Sequence, residues 1–155
     1  MSKFLNEVYK RGNIKKYNNL KELEDDCPSF YIGEKIDTKY SYNTGDIVFV
    51  KYYNYANGRT GNNHLFVIVD EDNYGVSLNY FCILISSKLN KLKYKTNVLL
   101  KKDNINNLKT DSIVKADIIY EFNDTDIEFL VGKVSVDMVN DFKKVYLQGD
   151  KNENR

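Results

Sequence analysis

Tryptophan is missing from this 155-residue chain, and proline and histidine occur once each, at Pro28 and His64. Cysteine is scarce too. Cys27 and Cys82 lie far apart and form no C-x-x-C pair, so zinc and thioredoxin-type readings have nothing to rest on. They are either two free thiols in a reducing cytoplasm or one cross-link. The start, MSKFLNEVYKRG, has no apolar core of a signal peptide, and no apolar run approaches the length of a membrane span. A cytoplasmic protein without membrane contact is therefore expected. An excess of one charge is absent as well: 23 Lys and Arg stand against 22 Asp and Glu. That balance argues against a wholesale polyanion binder, so any nucleic-acid surface must come from local clustering. No Walker loop, G-x-S-x-G elbow, HExxH or EF-hand occurs. No metal and no cofactor are expected.

What is present is one domain's worth of chain with an ordinary hydrophobic share of 42%. A chain this long buries roughly two thirds of the surface that its unfolded form exposes and needs no disulfide to fold. Its bias toward Lys, Asn, Ile, Tyr and Asp is that of an AT-rich bacterial or phage genome. Residues 1–40 read as a helical extension. Ser2 caps a short helix in which Phe4, Leu5, Val8 and Tyr9 share a face, and Gly12 stops it. Tyr17, Leu20 and Leu23 carry a second helical pattern that ends at Pro28.

From about residue 41 the period changes. Runs rich in β-branched and aromatic residues follow: Gly45 to Tyr53, His64 to Val69, Asn79 to Ser87, NVLLKK, and Ser112 to Phe122. A Gly/Asn-rich loop at 54–63 and the turn DEDNYG separate them. Short strands at this spacing predict a barrel or sandwich over 41–149. The chain closes on a helix capped by Ser135. Asp137 sits in its first turn, Lys143 and Lys144 come late, Val139, Phe142 and Tyr146 form its buried face, and Gly149 is the stop. Residues 150–155 form a frayed tail.

Four features carry potential chemistry. His64 stands where the Gly-rich loop enters a strand, and its imidazole titrates near neutrality; it is a general acid or base, or a local hydrogen-bonding residue. Ser86 and Ser87 end an apolar strand, where a hydroxyl donates to a phosphate or simply caps the strand. Lys115 and Asp117 interrupt the strand SIVKADIIYEF two residues apart, hence on one face. They are an acid–base pair or a solvent-facing ion pair of small energetic weight. Finally, Lys88, Lys91, Lys93, Lys95, Lys101 and Lys102 surround Tyr94 with no acidic residue between them. Local positive charge with an aromatic surface suits RNA, and a solvated loop is the alternative. The opposite bias lies at Glu121 to Phe129, which repels RNA or meets a basic partner.

In order, these segments resemble the PemK/MazF toxins. The opening strand of that family is similar to Gly45-Asp46-Ile47-Val48-Phe49-Val50, its second strand to His64-Leu65-Phe66-Val67-Ile68-Val69, and its third ends like Ile85-Ser86-Ser87. Its basic stretch looks like Lys91 to Val98. Asp111-Ser112-Ile113-Val114-Lys115-Ala116-Asp117-Ile118 and Gly132-Lys133-Val134-Ser135 match its last two motifs. The resemblance covers about Ser41 to Gln148. It implies a mainly β, SH3-like barrel with a C-terminal helix, of the kind shared with gyrase-poisoning toxins, assembled as a homodimer. It also implies cleavage of single-stranded RNA, a cognate antitoxin that blocks the site, and DNA contact only through an antitoxin complex.

Residue by residue, Ser86 takes the family's catalytic Thr/Ser position, and Lys115 and Asp117 take its Arg and Asp acid–base positions. Lys keeps the charge but loses bidentate phosphate geometry. His64 and Leu65 replace the usual Arg-Pro, Tyr120 stands where the family has a further Arg, and Arg59 in the preceding loop is the candidate to supply the missing guanidinium. The resemblance thus implies catalysis by Asp117, His64, Lys115, Ser86 and Arg59, with RNA bound by Lys88, Lys91, Lys93, Tyr94 and Lys95. A homologue that binds RNA or a protein without cutting is the alternative.

Overall fold

The computed structural model describes residues 2–16, 27–32, 41–50, 64–72 and 78–149. The second helical pattern at 17–23, the loop with Arg59, the end of the DEDNYG turn and the 150–155 tail lie outside the described residues.

The first helix, α1 (Lys3–Arg11), starts and stops where its caps dictate. Ser2 Oγ accepts from the Leu5 N–H at 3.0 Å. Gly12 ends it in the left-handed region, at φ 68°, and donates its N–H to Val8 O. Among the described residues seven strands follow in chain order: β1 (Lys15–Lys16), β2 (Asp46–Val50), β3 (His64–Asp72), β4 (Asn79–Ser86), β5 (Asn97–Leu100), β6 (Ser112–Asn123) and β7 (Ile127–Lys133). They form one sheet in the order β1-β6-β4-β3-β2-β7, with β5 paired to β6 beside β1. Among the described residues only the β1–β6 pairing is parallel. The mainly β architecture with a terminal helix is as expected, but the path is open. No pairing joins β1 to β7 among the described residues, so a closed SH3-like barrel is not seen.

Two strand readings change. The second long strand runs through Asp72 and past Val69, because Asp70, Glu71 and Asp72 find ladder partners in Phe81, Tyr80 and Asn79. Their acidic composition reads as a turn, yet two of the carboxylates anchor α1. Asp70 Oδ2 accepts from Ser2 Oγ at 2.8 Å and pairs with Lys143 at 3.2 Å, and Asp72 Oδ2 accepts from Tyr9 at 2.6 Å. The other change is β7, whose Glu128, Gly132 and Lys133 hide its strand character; it is held by antiparallel pairing with β2.

The apolar strands read as unbroken hydrophobic runs because both sheet faces are covered. On one face Ile47, Leu65, Val67, Phe81, Ile83, Ile85 and Val114 pack under Phe4, Leu5 and Val8 of α1. The same cluster takes in Val139, Phe142 and Tyr146 of α2 (Val136–Gly149). The other face is aromatic: Tyr42, Phe66, Tyr80, Tyr120 and Phe122 close over Val48, Val50, Ile68, Cys82 and Leu84. Each fully buried side chain of this kind contributes about 1.5–3 kcal/mol.

Helix α2 begins as expected, with Met138 N–H donating to Ser135 Oγ. Its end differs. Lys143 and Lys144 lie a turn too early, and no basic residue occupies the last turn. Arg11 supplies that charge from α1, donating to Tyr146 O at 2.9 Å and Leu147 O at 3.1 Å while lying 4.5 Å over the Tyr146 ring.

The segment between β5 and β6 covers the outer edge of β7. Asn107 Nδ2 donates to Val131 O, and Ile105 O accepts from Lys133 N–H. The approach requires glycine at position 132, where a Cβ would meet Asn106 O at 2.5 Å and Ile105 O at 2.7 Å. Gly132→Ala is therefore expected to lower stability by about 1–3 kcal/mol, read as a lower urea midpoint with unchanged slope. An unchanged midpoint would show that the loop gives way at no cost.

Candidate functional site

Strand β6 is the centre of the candidate site. Its early half lies between β4 and β5, and its late half between β4 and β1. From the Leu84–Lys115 pair to the Cys82–Tyr120 pair, β4 advances two residues and β6 advances five. The surplus residues form a large bulge around Asp117. Alternation shifts there. Val114, Ala116 and Ile119 all enter the helix-covered core, whereas Ile118, Tyr120 and Phe122 join the aromatic cluster.

Lys115 pairs with Leu84 and so lies on the face opposite Val114 and Ala116, while Asp117 sits within the bulge, where the two-residue spacing no longer fixes its face. Both are half-buried. The Oδ1 atom of Asp117 is itself buried and has no hydrogen-bond partner among the described residues. A buried polar atom of that kind is costly and uncommon, which marks it as a place to look for function.

His64 and Ser86 face the same way as Lys115. His64 alternates with Phe66 and Ile68, and Ser86 with Cys82 and Leu84, all four of them in the aromatic cluster. Phe66, Leu84 and Lys115 form one row across β3, β4 and β6. His64 and Ser86 come two residues further along their strands, at the same end. With strands about 4.8 Å apart and a rise of about 3.3 Å per residue, the three polar residues fall within roughly 12 Å of one another. Three of the five expected catalytic residues thus share one face of three adjacent strands, and Asp117 lies in the bulge two residues beyond Lys115. The fifth, Arg59, lies outside the described residues.

His64 is 3% exposed, and its ring tilts against Phe66. Its Nδ1 lies 3.0 Å from Leu65 N and 3.2 Å from Leu65 O. It can accept from the first or donate to the second, so the following peptide serves either ring tautomer. Ser86 is fully buried, and its Oγ accepts from Lys88 N–H at 3.2 Å. The hydroxyl therefore closes the turn that carries the basic residues.

That turn, Leu89–Lys93, is a short 3-10 helix held by Asn97 Nδ2 donating to Lys91 O at 2.8 Å. Lys93, Tyr94 and Lys95 are exposed, while Lys88 and Lys91 are half-buried. The Lys93 ammonium lies 5.4 Å over the Tyr94 ring, and Tyr94 remains 54% exposed. The expected basic and aromatic surface thus starts two residues after Ser86. The acidic stretch is elsewhere, folding into a turn at Asp124–Asp126 that Asn123 and Asp126 cap reciprocally.

The bulge itself was not legible in the strand's pattern, which looks regular. Nor was a cavity of about 380 Å³ beside Tyr31, Lys102 and Lys109, since Tyr31 follows Pro28 in a stretch without period. Among the described residues no group of His, Cys, Asp and Glu is arranged to hold a metal ion, and no helix is long and apolar enough to cross a membrane.

A family model described as PemK-like, MazF-like toxin of type II toxin-antitoxin system matches residues 43–145. No curated protein matches the chain. The matched span contains all nine of the expected site residues just located in β3, β4, β6 and the basic turn and its flanks, and it excludes α1 and the segment 27–32.

Neither thiol is among the expected site residues. Cys82 is enclosed in the aromatic cluster, and burial pushes its thiol well above its ordinary 9.0. Burial raises Cys27 as well, opposed by a hydrogen bond with the Leu65 backbone. Raised pKa values keep both thiols protonated, hence unreactive, at pH values where a free cysteine has begun to ionise. Iodoacetamide at mildly alkaline pH is expected to leave Cys82 unmodified in the native protein and to label it in guanidinium. Equal labelling rates in both states would show that the cluster opens readily.

Proposed function

Because the chain belongs to the PemK-like, MazF-like toxins of type II toxin–antitoxin systems, we propose that it is an endoribonuclease that cuts single-stranded RNA with side chains of its aromatic sheet face. The observation that carries this reading is Asp117. Its Oδ1 is a buried proton acceptor without a partner among the described residues, set in a bulge two residues from Lys115. A carboxylate held in that way is suited to a general base.

The reaction needs three roles. Asp117, or His64 in its place, takes the proton from a ribose 2′-OH. The 2′-oxygen then forms a bond to the adjacent phosphorus as the P–O5′ bond breaks, leaving a 2′,3′-cyclic phosphate. Lys115 or His64 gives the departing 5′-oxygen its proton. Arg59 and Ser86 hold the phosphoryl oxygens as negative charge builds on them. Lys88, Lys91, Lys93 and Lys95 attract the strand, and Tyr94 offers a surface for a base. DNA lacks the nucleophile and is not a substrate. Family membership implies an antitoxin partner. A homodimer in a bacterial cytoplasm belongs to the same reading, as does an SH3-like barrel left open between β1 and β7, supported by β2 pairing with both β3 and β7.

A second reading has its own support. Ser86 is fully buried and engaged with Lys88, and His64 is nearly so. Those facts favour a homologue that holds RNA on the basic turn without cutting it.

Purified protein incubated with long mixed-sequence single-stranded RNA in excess EDTA separates the two. Discrete fragments are expected from the wild type, with rates about 10²- to 10⁴-fold lower in folded Asp117→Ala and in folded His64→Ala. A near-wild-type rate in either variant removes that residue from the mechanism. Intact RNA that nevertheless binds the wild type would establish the non-cutting homologue.

A further inference from the structure

Residues 27–32 run alongside the loop before β6. Lys109 N–H donates to Ser29 O, Phe30 bridges to Leu108, and Tyr31 N–H donates to Asn107 O at 2.8 Å. Phe30 anchors the segment inward, its ring 5.2 Å from Phe49 and 6.0 Å from Phe129. Extended backbone alternates sides, so Tyr31 turns outward and stays 60% exposed. The facing loop is prefolded. Asn107 takes φ 61°, a conformation that asparagine tolerates better than most residues, and donates its side chain to Val131 O. Asp103 Oδ1 accepts from the Ile105 and Asn106 amides at 2.8 and 2.7 Å, so this one carboxylate of the pocket is held by the loop's own N–H groups.

Between the two segments lies the cavity of about 380 Å³, lined by Tyr31, Lys102, Asn104 and Lys109 among others. That is within the range of small-molecule sites. The Lys109 ammonium lies 5.0 Å over the Tyr31 ring. The pairing repeats that of Lys93 and Tyr94. The two tyrosine–lysine pairs stand at opposite ends of β5, roughly 20 Å apart at strand rise. Lys101 and Lys102, both exposed, extend from its far end. Among the described residues β5 is paired with β6 alone.

We propose that this pocket is a second contact for single-stranded RNA, taking one nucleotide whose base stacks on Tyr31 and whose phosphate meets Lys102 and Lys109. The proposal rests on the RNA reading above and extends it to a residue outside the family-matched span. An aromatic ring supplies stacking that every base can use, and the two ammonium groups supply the charge. Asn104 adds an amide within the pocket for a base edge. The strand would enter at Tyr94, pass along β5 and end at Tyr31.

The test is fluorescence anisotropy with a labelled 2′-O-methyl oligoribonucleotide of mixed sequence, about twelve nucleotides long. The methyl group removes the nucleophile, so binding is read without cleavage. Tyr31→Ala is expected to weaken binding about tenfold, in keeping with one lost stacking surface, while Tyr31→Phe retains it. Lys102→Ala with Lys109→Ala should flatten the slope of log affinity against log salt by about 1.4. Wild-type affinity and slope in these folded variants would overturn the second contact while leaving the ribonuclease reading intact. A wild type that neither binds nor cuts any RNA would overturn both. If Tyr31→Ala lost the antitoxin and kept the RNA, the pocket would belong to a protein partner and the proposal would fail.

Discussion

Strand β6 has to match three neighbours at once, and the rest of the fold depends on how it does so. Against β4 it pairs at both ends, against β5 only through its first residues, and against β1 only near its last. Between its two paired halves the register against β4 slips. The surplus residues gather into one bulge, which reverses the inward and outward order between Ala116 and Ile119. That reversal lets Ile119 reach the helix-covered core while Tyr120 and Phe122 reach the aromatic one. The same irregularity leaves a carboxylate oxygen of Asp117 buried without a partner among the described residues. A slip in sheet register and an unpartnered buried carboxylate oxygen thus fall at one place.

The second organising feature is the way α1 is tied down. It reaches the sheet through Ser2 and Tyr9, which meet Asp70 and Asp72, and it reaches α2 through Arg11. Apolar burial of Phe4, Leu5 and Val8 supplies most of the attachment, and the polar contacts fix its direction. Although the family-matched span begins at residue 43, the helix-covered core contains residues from well before it.

Much of this is legible in the amino-acid sequence. The cap at Ser2, the stop at Gly12 and the spacing of Phe4, Leu5 and Val8 specify α1 locally. The runs that became β2 through β6 are β-branched, aromatic and bounded by turn residues. The faces of His64, Ser86 and Lys115 follow from alternation once partners are known. What escaped did so for physical reasons. The end of β3 is acidic because it serves α1, a long-range need with no local signature. In β7 the glycine answers to a loop that arrives from elsewhere. The bulge is invisible because it is a slip in register against β4, a partner distant in sequence, and Tyr31 acquires its lysine only through contact with a distant loop.

The cover that residues 105–107 place over β7 has one more effect. A terminal strand normally offers its unpaired amides and carbonyls as a template on which another extended chain can grow. Here the Val131 carbonyl is taken by Asn107, and the Lys133 amide by Ile105. The loop making those contacts is itself laced through Asp103 and Asn106. An incoming strand would have to unravel that lacing before it gained its first ladder bond, so the sheet terminates at this margin instead of propagating into neighbouring molecules.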